Sequence, residues 1–476
     1  MKIKTRFAPS PTGYLHIGNI RTALYSWLFA RKNKGNFILR IENTDFKRSK
    51  NSFVKDIFKI LQWLNIDWDE EPYFQSKRIN RYNDIINNML KNGTAYKCYC
   101  TKKHLKKNKE KQIINGEKIK YNRKCYNNIK NIEKNKNKPY TVRFFIPNNK
   151  YITFTDTVRG KITFHNNELE DFIIKRTDGT PTYNFCVVID DWDMKITHII
   201  RGEEHINNTP KQIHIINSIG AHIPIYTHVS IITDDLGKKI SKRDNNINIF
   251  KYKEKGYLPD ALLNYILLLG WSYGNKEIFS LEEMKKLFNL KNLNKSSSIF
   301  NIKKLNWFNK YYLSKLSKKN MINYLKLFCK KRNININNGP KIENLYKIFP
   351  NRCNTLNEIN NLCYIFYKCP NYQNNNLIKK YLNFKTKIIL ETFLKKLNNI
   401  KIWSIDNINI FLKKISFKLN IIFQKLAMVL RLAITGLENT PPINNVIYLM
   451  GKKKIVYHIK KSINFIINNK SIYLIK

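Results

Sequence analysis

Acidic residues are scarce in this chain. Its 476 residues include 34 Asp and Glu against 86 Lys and Arg, which gives a formal net charge of +52. Such an excess of positive charge is typical of proteins with a polyanionic partner. Asn, Ile and Lys are enriched along the whole sequence, as an AT-rich coding sequence would produce, so we attribute part of the excess to mutational bias. The sign of the charge still agrees with RNA binding.

The sequence also lacks a disulfide framework and a membrane span. Its eight cysteines follow no regular spacing and no signal peptide precedes them, which indicates a reducing compartment. The longest apolar run, residues 261–271, is too short to cross a bilayer and contains Asn264. The first motif begins at Arg6, which leaves no room for a cleavable presequence. We therefore expect a soluble, cytoplasmic, monomeric protein with no membrane partner.

The N-terminal residues predict a strand, a helix and a second strand. Residues 3–8 have the composition of a buried strand, apolar residues recur at helical spacing over 20–28, and 37–41 form another apolar run. In such a unit the carboxyl end of the first strand faces the helix N-terminus, where phosphate binds. His16 and Asn19 share one face of that first helical turn. This spacing suits a nucleotide.

The residues around His16 decide how it is interpreted. A lone His before a Gly more often starts a helix than takes part in chemistry. Gly18 has no side chain and therefore lets a flat ring approach the backbone. However, the segment Arg6-x-x-Pro-Ser-Pro-Thr-Gly-x-x-His-x-Gly closely resembles the first signature of the class I aminoacyl-tRNA synthetases, in the form found in bacterial-type glutamyl-tRNA synthetases. The usual last His of that signature is Asn19 here, at a position where glutamate enzymes vary.

This resemblance implies a Rossmann-type catalytic domain that joins L-glutamate to tRNA(Glu) through a glutamyl-adenylate, with ATP and Mg²⁺. It places ATP near the start of the helix and glutamate near the end of the first strand. The ATP-binding residues that it implies here are Pro9, Gly18 and Asn19, with His16 as a catalytic group, and the glutamate-binding residues are Arg6, Ala8 and Ser10.

An acidic cluster ends the second predicted strand, at residues 40–45. On spacing alone, a solvated turn explains this cluster equally well. The segment resembles the family's Arg-Ile-Glu-Asp run, in which the glutamate recognises the substrate amino group. By this resemblance, that role falls to Glu42.

The alternation of strands and helices stops near residue 71 and resumes after 180. Polar helices, a Lys-rich run and strands over 140–146 and 151–154 occupy the interval. After it the sequence predicts an apolar strand within 183–191, a strand over 196–201, a helix capped by Thr209 and ending near Gly220, and a strand over 223–229. The inserted region therefore splits one nucleotide-binding sheet in two. Asp190 and Asp191 stay unassigned, between a structural role and tRNA binding.

Three cysteines in the inserted region indicate a metal site. Cys98, Cys100 and Cys125 supply three thiols, and zinc favours four tetrahedral Cys or His ligands. Two residues after Cys125, where similar proteins offer His, the chain has Asn127. By resemblance to some relatives, Tyr121 is a substitute fourth ligand. The alternative is a knuckle of reduced thiols without metal.

Two arginines at strand ends predict a carboxylate site, because a guanidinium grips a carboxylate through two parallel hydrogen bonds. Either arginine alone would more often be an ordinary ion-pair partner. By resemblance to the glutamate enzymes, Arg6, Arg201 and Tyr183 form a clamp for the acidic side chain of the substrate. The same resemblance places Glu204 and His205 beside the nucleotide.

A basic loop after the last strand, residues 237–243, predicts phosphate binding. In a chain this rich in Lys, such a run is more often a solvated loop. This one follows the last strand at the separation expected of class I synthetases and resembles their Lys-Met-Ser-Lys-Ser motif. The resemblance assigns Lys239, Ser241 and Lys242 to ATP, and both lysines, with His16, to catalysis.

After residue 310 the sequence predicts helices. Apolar stripes within 389–397 and 422–433 read as core faces, and no run of regularly spaced strands predicts the two β-barrels of glutaminyl enzymes. A helical tail instead resembles bacterial glutamyl enzymes. The alternatives are an enzyme that also glutamylates tRNA(Gln), a glutaminyl-tRNA synthetase and a non-catalytic tRNA-binding protein.

The predicted fold is thus an α/β catalytic domain split by an α+β insertion and followed by an all-α region. The predicted domains are the first catalytic half (1–70), an acceptor-stem-binding insertion (71–180), the second catalytic half (181–245), a stem-contact domain (246–310) and a helical anticodon-binding domain (311–476).

Overall fold

A computed structural model describes residues 2–128, 138–239, 248–345, 348, 353–372 and 376–469. Ser241 and Lys242 of the basic loop lie outside these residues. The chain divides into two compact units, one of Met1–Glu254 and Pro259–Leu305 and the other of Lys255–Leu258 and Asn306–Lys476. The five domain boundaries named above stay predictions.

The first unit contains both strands and helices. Its strands are β1 (Lys4–Phe7), β2 (Asn36–Ile41), β3 (Tyr73–Phe74), β4 (Ala95–Cys98), β5 (Thr141–Phe144), β6 (Tyr151–Asp156), β7 (Gly160–His165), β8 (Ile173–Lys175), β9 (His198–Gly202), β10 (Ile225–Val229), β11 (Ile232–Thr233) and β12 (Ser298–Ile299). Its helices are α1 (Ile17–Lys32), α2 (Asn51–Trp63), α3 (Ile79–Lys91), α4 (Lys102–Ile114), α5 (Lys124–Asn127), α6 (Tyr183–Asp193), α7 (Thr209–Ser218), α8 (Ile249–Glu254), α9 (Pro259–Leu267) and α10 (Leu281–Leu287).

Two adjoining sets of parallel strands form the centre of this unit. β1 pairs with β2, β2 with β3, and β9 with β10, all in parallel. The N–H of Thr197, just before β9, donates to the carbonyl of Lys4 in β1 at 2.9 Å. Strands from two distant segments of the chain therefore adjoin at β1 and β9, although their pairing divides them into two sheets, β1-β2-β3 and β7-β6-β10-β9, and not the single sheet that was predicted.

The β6–β7 hairpin extends the sheet of β9 and β10 from within the predicted insertion. β6 runs antiparallel to β7 and parallel to β10, with Asp156 opposite Tyr226. A separate antiparallel sheet contains β4, β5 and β8. Asp156 consequently stands at the edge of β10 although it belongs to the segment 71–180.

One predicted strand is a helix. The apolar run within 183–191 forms α6, in which every residue from Phe185 to Asp191 is buried. Its apolar side chains share a core with α3, α7 and the strands β4 and β5. A short, fully buried run shows no exposed face, so its periodicity does not distinguish a strand from a helix. The strand prediction was therefore wrong.

The cap predicted for α7 is also wrong, by one residue. The N-cap is Asn208 and Thr209 is already helical, because a 3₁₀ helix, Glu203–Asn208, leads directly into α7. The predicted strands over 37–41, 196–201 and 223–229 correspond to β2, β9 and β10, each displaced by two residues at most.

The second unit is helical throughout its described residues, as predicted. The helices from the end of the first unit onward are α11 (Ile302–Lys315), α12 (Lys318–Lys331), α13 (Ile342–Leu345), α14 (Leu356–Tyr364), α15 (Asn376–Tyr381), α16 (Phe384–Lys396), α17 (Ile405–Lys418), α18 (Phe423–Thr435), α19 (Ile443–Met450) and α20 (Lys452–Asn468). The stripes of α16 and α18 are largely buried, but Ile422 precedes α18 and is exposed. Within the described chain, none of the helices has the length and apolar character to span a membrane.

Candidate active site

A cleft of about 450 Å³ opens where β1, β2 and β9 end and α1 begins. Every described residue that the sequence analysis assigned to ATP or glutamate lines this cleft: Arg6, Ala8, Pro9, Ser10, His16, Gly18, Asn19, Glu42, Tyr183, Arg201, Glu204, His205 and Lys239. The fold therefore brings the first signature and the start of the basic loop to one place.

His16 caps helix α1. Its Nδ1 accepts a hydrogen bond from the N–H of Asn19 at 3.3 Å, and the Asn19 side chain accepts one from the N–H of His16 at 3.2 Å. This reciprocal pair fixes both side chains at the positive end of the helix dipole. An added Cβ on Gly18 would lie 3.1 Å from the His16 ring. Gly18 thus makes room for that ring, and His16 both starts the helix and lines the cleft.

Arg6 is paired with a carboxylate inside the protein. Its Nε and Nη2 donate to the two oxygens of Asp191 at 3.1 and 3.3 Å. Arg40, which is fully buried, donates to the same carboxylate at 2.6 Å and to Glu42 at 3.2 Å. Burial opposes ionisation, but the two arginines hold the pKa of Asp191 below its usual value. Asp191 therefore orients Arg6 and balances its charge.

Glu42 enters the cleft directly after β2. Its N–H donates to the carbonyl of Pro9 at 3.0 Å, which ties it to the first signature. Burial raises the pKa of Glu42 to about 7, although Arg40 and Arg6 oppose the rise. The carboxyl group is thus near its midpoint at neutral pH, and a bound ammonium group would favour its ionised form.

Arg201 is buried with neutral hydrogen-bond partners. Its Nε donates to Nε2 of His228 at 3.1 Å, and its Nη1 to Gln212 at 2.8 Å. Its Nη2 donates to the Thr209 hydroxyl at 2.8 Å and to the His205 carbonyl at 3.4 Å. Within the described ranges no carboxylate pairs with it. A buried guanidinium without a counter-charge favours an anionic ligand.

Tyr183 and His205 lie side by side in the cleft, with ring centroids 5.9 Å apart. Burial raises the pKa of Tyr183 to about 12, so its hydroxyl remains a neutral donor. Burial, helped by nearby Arg201, lowers the pKa of His205 to about 4. His205 is consequently uncharged at neutral pH, and the positive charge in this part of the cleft comes from Arg201.

Glu204 and Lys239 place opposite charges in the cleft. Burial raises the pKa of Glu204, but its own backbone N–H and the nearby Lys239 lower that pKa below its usual value overall. The Glu204 carboxylate folds against Gly202, where a Cβ would overlap it. Lys239 follows a turn with Gly237 at φ +74° and bridges back to Thr233.

The three predicted cysteine ligands form one cluster. Their sulfurs lie within 4.8 Å of one another, with Cys100 and Cys125 at 3.5 Å. The Tyr121 hydroxyl is 3.3 Å from the Cys98 sulfur and 3.7 Å from the Cys100 sulfur, whereas Asn127 is exposed. Burial raises the pKa of Cys98, but Tyr121 and the neighbouring Arg143 lower it overall. Burial raises the pKa of Cys100 to about 12.

Sequence reasoning missed several residues of the cleft. Arg48 and Arg176 line it and are exposed, and Arg21 lines it and is buried. In a chain with so many Lys and Arg, single arginines carry no signal of their own. His228 and Gln212 sit at inward positions of β10 and α7, and a polar residue at an inward position is the signal that would have indicated them.

Comparisons with known proteins agree with this geometry. A family profile described as tRNA synthetases class I (E and Q), catalytic domain, matches residues 2–307, and an anticodon binding domain profile matches residues 310–463. The chain is 50% identical to a glutamate–tRNA ligase of Buchnera aphidicola subsp. Acyrthosiphon pisum (strain APS), covering 98% of this chain and 100% of the relative. It is also 50% identical to a glutamate–tRNA ligase of Wigglesworthia glossinidia brevipalpis, covering 99% of each.

Solved structures give the same result. A crystal structure of a glutamate tRNA ligase from Elizabethkingia meningosepticum CCUG26117, in complex with its amino acid, matches with a TM-score of 0.82 at 30% identity. That match covers 98% of this chain and 100% of the other. The chain therefore belongs to the class I (E and Q) tRNA synthetase family, and the two full-length relatives named above are glutamate–tRNA ligases.

Proposed function

We propose that this protein ligates L-glutamate to tRNA(Glu) in two ATP-dependent steps. In the first, the glutamate α-carboxylate attacks the α-phosphate of ATP and pyrophosphate leaves. In the second, a ribose hydroxyl of the terminal tRNA adenosine attacks the mixed anhydride and AMP leaves. Neither step requires a protein nucleophile, so the chain contributes positioning and charge neutralisation. The observation that carries the proposal is a single cleft with a buried, uncompensated Arg201, a helix N-terminus and Lys239.

In the proposed site Arg201 binds the side-chain carboxylate of glutamate, and the Tyr183 hydroxyl donates a further hydrogen bond. Glu42 binds the α-ammonium group, which favours its charged form. Arg6 adds donors, and Asp191 balances part of its charge. The positive charge of Arg201 distinguishes glutamate from glutamine, whose amide would leave that charge uncompensated. Ala8 and Ser10 complete the wall next to Arg6.

Phosphate binding in the proposed site uses the start of α1 and the basic loop. His16, fixed by its reciprocal bonds with Asn19, and the helix dipole face the phosphates. Lys239 stabilises the charge that develops on them, and Lys242 and Ser241 of the same loop act with it. Pro9, Gly18, Glu204 and His205 complete the nucleotide site. Mg²⁺ accompanies ATP as part of the substrate.

The cysteine cluster fits a zinc ion. Tetrahedral zinc–thiolate bonds of about 2.3 Å place two sulfurs about 3.7 Å apart, close to the spacing of Cys100 and Cys125. Cys98, Cys100, Cys125 and the Tyr121 oxygen would hold the metal. Arg143 lies 3.9 Å above the Tyr121 ring and favours an anionic ligand set. The ion would tie β4 to α5 and take no part in ligation.

The proposal is tested by an aminoacylation panel with purified protein, ATP and separate tRNA transcripts. We expect labelled glutamate to be attached to tRNA(Glu) and labelled glutamine to be attached to neither tRNA(Glu) nor tRNA(Gln). Glutamylation of tRNA(Gln) would assign a non-discriminating enzyme. Binding of tRNA without any aminoacylation would contradict the proposal and support the non-catalytic alternative.

A further inference from the structure

We propose that Asp156 and His228 are positioning residues that hold Arg201 in the orientation required by the glutamate carboxylate. This inference rests on the role of Arg201 in the proposed function. Neither residue lines the cleft, and both are buried. They form a line of hydrogen bonds that starts on β6, crosses β10 and ends at the guanidinium on β9.

The sheet register places these side chains together. Arg201 and His228 are paired residues of β9 and β10, so their side chains project from the same face of the sheet. Arg201 donates from Nε to His228 Nε2 at 3.1 Å, and His228 Nδ1 lies 2.8 Å from Oδ2 of Asp156. The backbone N–H of His228 also donates to Oδ2, at 2.9 Å.

The chemistry of the three groups fixes the tautomer of His228. An arginine Nε–H only donates, so the His228 Nε2 that faces it must carry no proton. The proton of the neutral ring is then on Nδ1, where a carboxylate accepts it. Asp156 is that carboxylate, and it holds the imidazole in the tautomer that accepts from Arg201.

Asp156 is itself held in place by the backbone. Its Oδ1 accepts from the N–H groups of Val158 and Arg159, each at 2.9 Å, in the turn after β6. Both oxygens are therefore occupied by donors, and the carboxylate cannot rotate without losing them. The remaining contacts of Arg201, with Gln212, Thr209 and the His205 carbonyl, engage its Nη atoms. His228 accepts from its Nε and so adds to the set of contacts that orient the planar guanidinium.

The test compares two His228 variants that differ in one property. His228→Gln places an amide oxygen near the position of Nε2 and keeps an acceptor for Arg201, whereas His228→Leu has a similar volume and no acceptor. Both variants lose the hydrogen bond from Nδ1 to Asp156, so they share the cost in stability. We expect His228→Leu to raise the glutamate KM roughly tenfold or more and His228→Gln to raise it less than about threefold. The ATP KM should stay within about twofold of the parent for both.

A double-mutant cycle tests the part of Asp156. Asp156→Asn presents an amide N–H to His228 Nδ1, which favours the tautomer with the proton on Nε2. The Nε2–H of His228 then faces the Nε–H of Arg201, and neither group can accept a hydrogen bond from the other. We expect this change alone to raise the glutamate KM on the order of tenfold. In the His228→Gln background it should have little effect, because the Gln side chain has no tautomer to select. Thermal unfolding of each variant reports its folded state.

Specific outcomes would overturn the inference. A glutamate KM of His228→Leu within twofold of His228→Gln would show that the acceptor does not position Arg201. Equal rises in the glutamate and ATP KM would show general damage instead. Arg201→Ala separates the two levels of the argument. If Arg201→Ala leaves the glutamate KM unchanged, the proposed glutamate site is wrong. If Arg201→Ala raises the glutamate KM but the His228 and Asp156 variants leave it unchanged, only the positioning role of Asp156 and His228 is wrong.

Discussion

At the scale of single residues, the two cleft arginines differ in how their charge is balanced. Arg6 shares Asp191 with Arg40, which also contacts Glu42, so part of the charge of Arg6 is balanced within the protein. Arg201 contacts an imidazole, an amide, a hydroxyl and a carbonyl, and none of these carries a formal charge when His228 is neutral. The electrostatic preference of the cleft for a carboxylate therefore comes mainly from Arg201.

This difference predicts the effect of removing Arg201. Loss of a buried charged donor costs about 2–5 kcal/mol of binding, so Arg201→Ala should raise the glutamate KM about thirtyfold or more. The ATP KM should change little, because the proposed phosphate site is formed by other residues, at the start of α1 and in the basic loop. The matched control is Arg176→Ala, which removes an exposed arginine of the same cleft and should leave the glutamate KM unchanged. Normal saturation of Arg201→Ala by glutamate would remove Arg201 from the site.

Glu42 predicts a pH dependence of glutamate binding. Its pKa of about 7 means that the carboxylate is charged above neutral pH and increasingly protonated below it. The substrate ammonium group needs the charged form, so the glutamate KM should rise as the pH falls through about 7, approaching tenfold per pH unit below it. Glu42→Gln should give a high glutamate KM with no such step between about pH 6 and 8. Persistence of the step in Glu42→Gln would assign it to another group.

The residue types of the site could be predicted from the sequence, but the partners of those residues could not. His16, Arg6, Glu42 and Arg201 lie near the ends of strands or at the start of a helix, and the resemblance to the synthetase signatures singled them out there. Asp191 escaped assignment because its pairing with Arg6 spans 185 positions of the chain, and no local spacing reveals such a contact. Supporting residues of this kind emerge only when the register of the strands is known.

At the scale of elements, the two described lysines of the basic loop differ in position. Lys239 lines the cleft, whereas Lys238 does not. We expect Lys239→Ala to lower the glutamylation kcat by about tenfold to a hundredfold, because a preorganised phosphate contact is lost. The affinity for tRNA should remain unchanged. Lys238→Ala is the matched control, and an equal loss of kcat in both variants would indicate a general charge effect.

The cysteine cluster predicts a metal that stabilises one element of the fold. We expect the purified protein to contain stoichiometric zinc, and Cys125→Ser to lose it and to unfold at a lower temperature, because metal binding contributes folding free energy. Cys369→Ser, at an exposed thiol in the second unit, should keep both zinc and thermal stability. Metal analysis and a thermal melt decide this. A parent protein without zinc, whose melting temperature does not respond to a chelator, would contradict the prediction.

Several predicted element types were confirmed where turn or polar residues marked both ends of a short run. The predicted helices of α1 and α16 and the strands β2, β9 and β10 were confirmed because turns or polar residues bound each run. α6 was misread because its run from Phe185 to Asp191 is buried on every side. Burial by two surrounding layers is a property of the assembled fold, and a local sequence pattern does not record it.

At the scale of the whole molecule, the positive charge is not distributed evenly. Helix α4 has six lysines and one glutamate in thirteen residues, and none of its residues is buried. Its single salt bridge, within the described part of the chain, joins Lys106 and Glu110 at 3.8 Å. Like charges at this density destabilise a helix unless an anion compensates them. A nucleic-acid partner would provide that compensation, whereas coding bias alone gives no reason for such a concentration.

The salt dependence of tRNA binding separates these two explanations. Lys103, Lys107 and Lys111 recur every four residues along α4, and changing all three to Gln keeps helix propensity while removing three charges. If α4 contacts phosphates, the slope of log affinity against log salt should become shallower by roughly 1–3 units. Each phosphate contact releases counterions when it forms, so a variant with fewer contacts releases fewer of them. The matched control changes Lys2, Lys32 and Lys34 to Gln. These lysines are exposed near the start of β1 and the end of α1, away from the cleft, so the slope of this variant should equal that of the parent. Equal slopes for all three proteins would assign the lysines of α4 to coding bias, and a shallower slope in both variants would indicate a response to net charge alone.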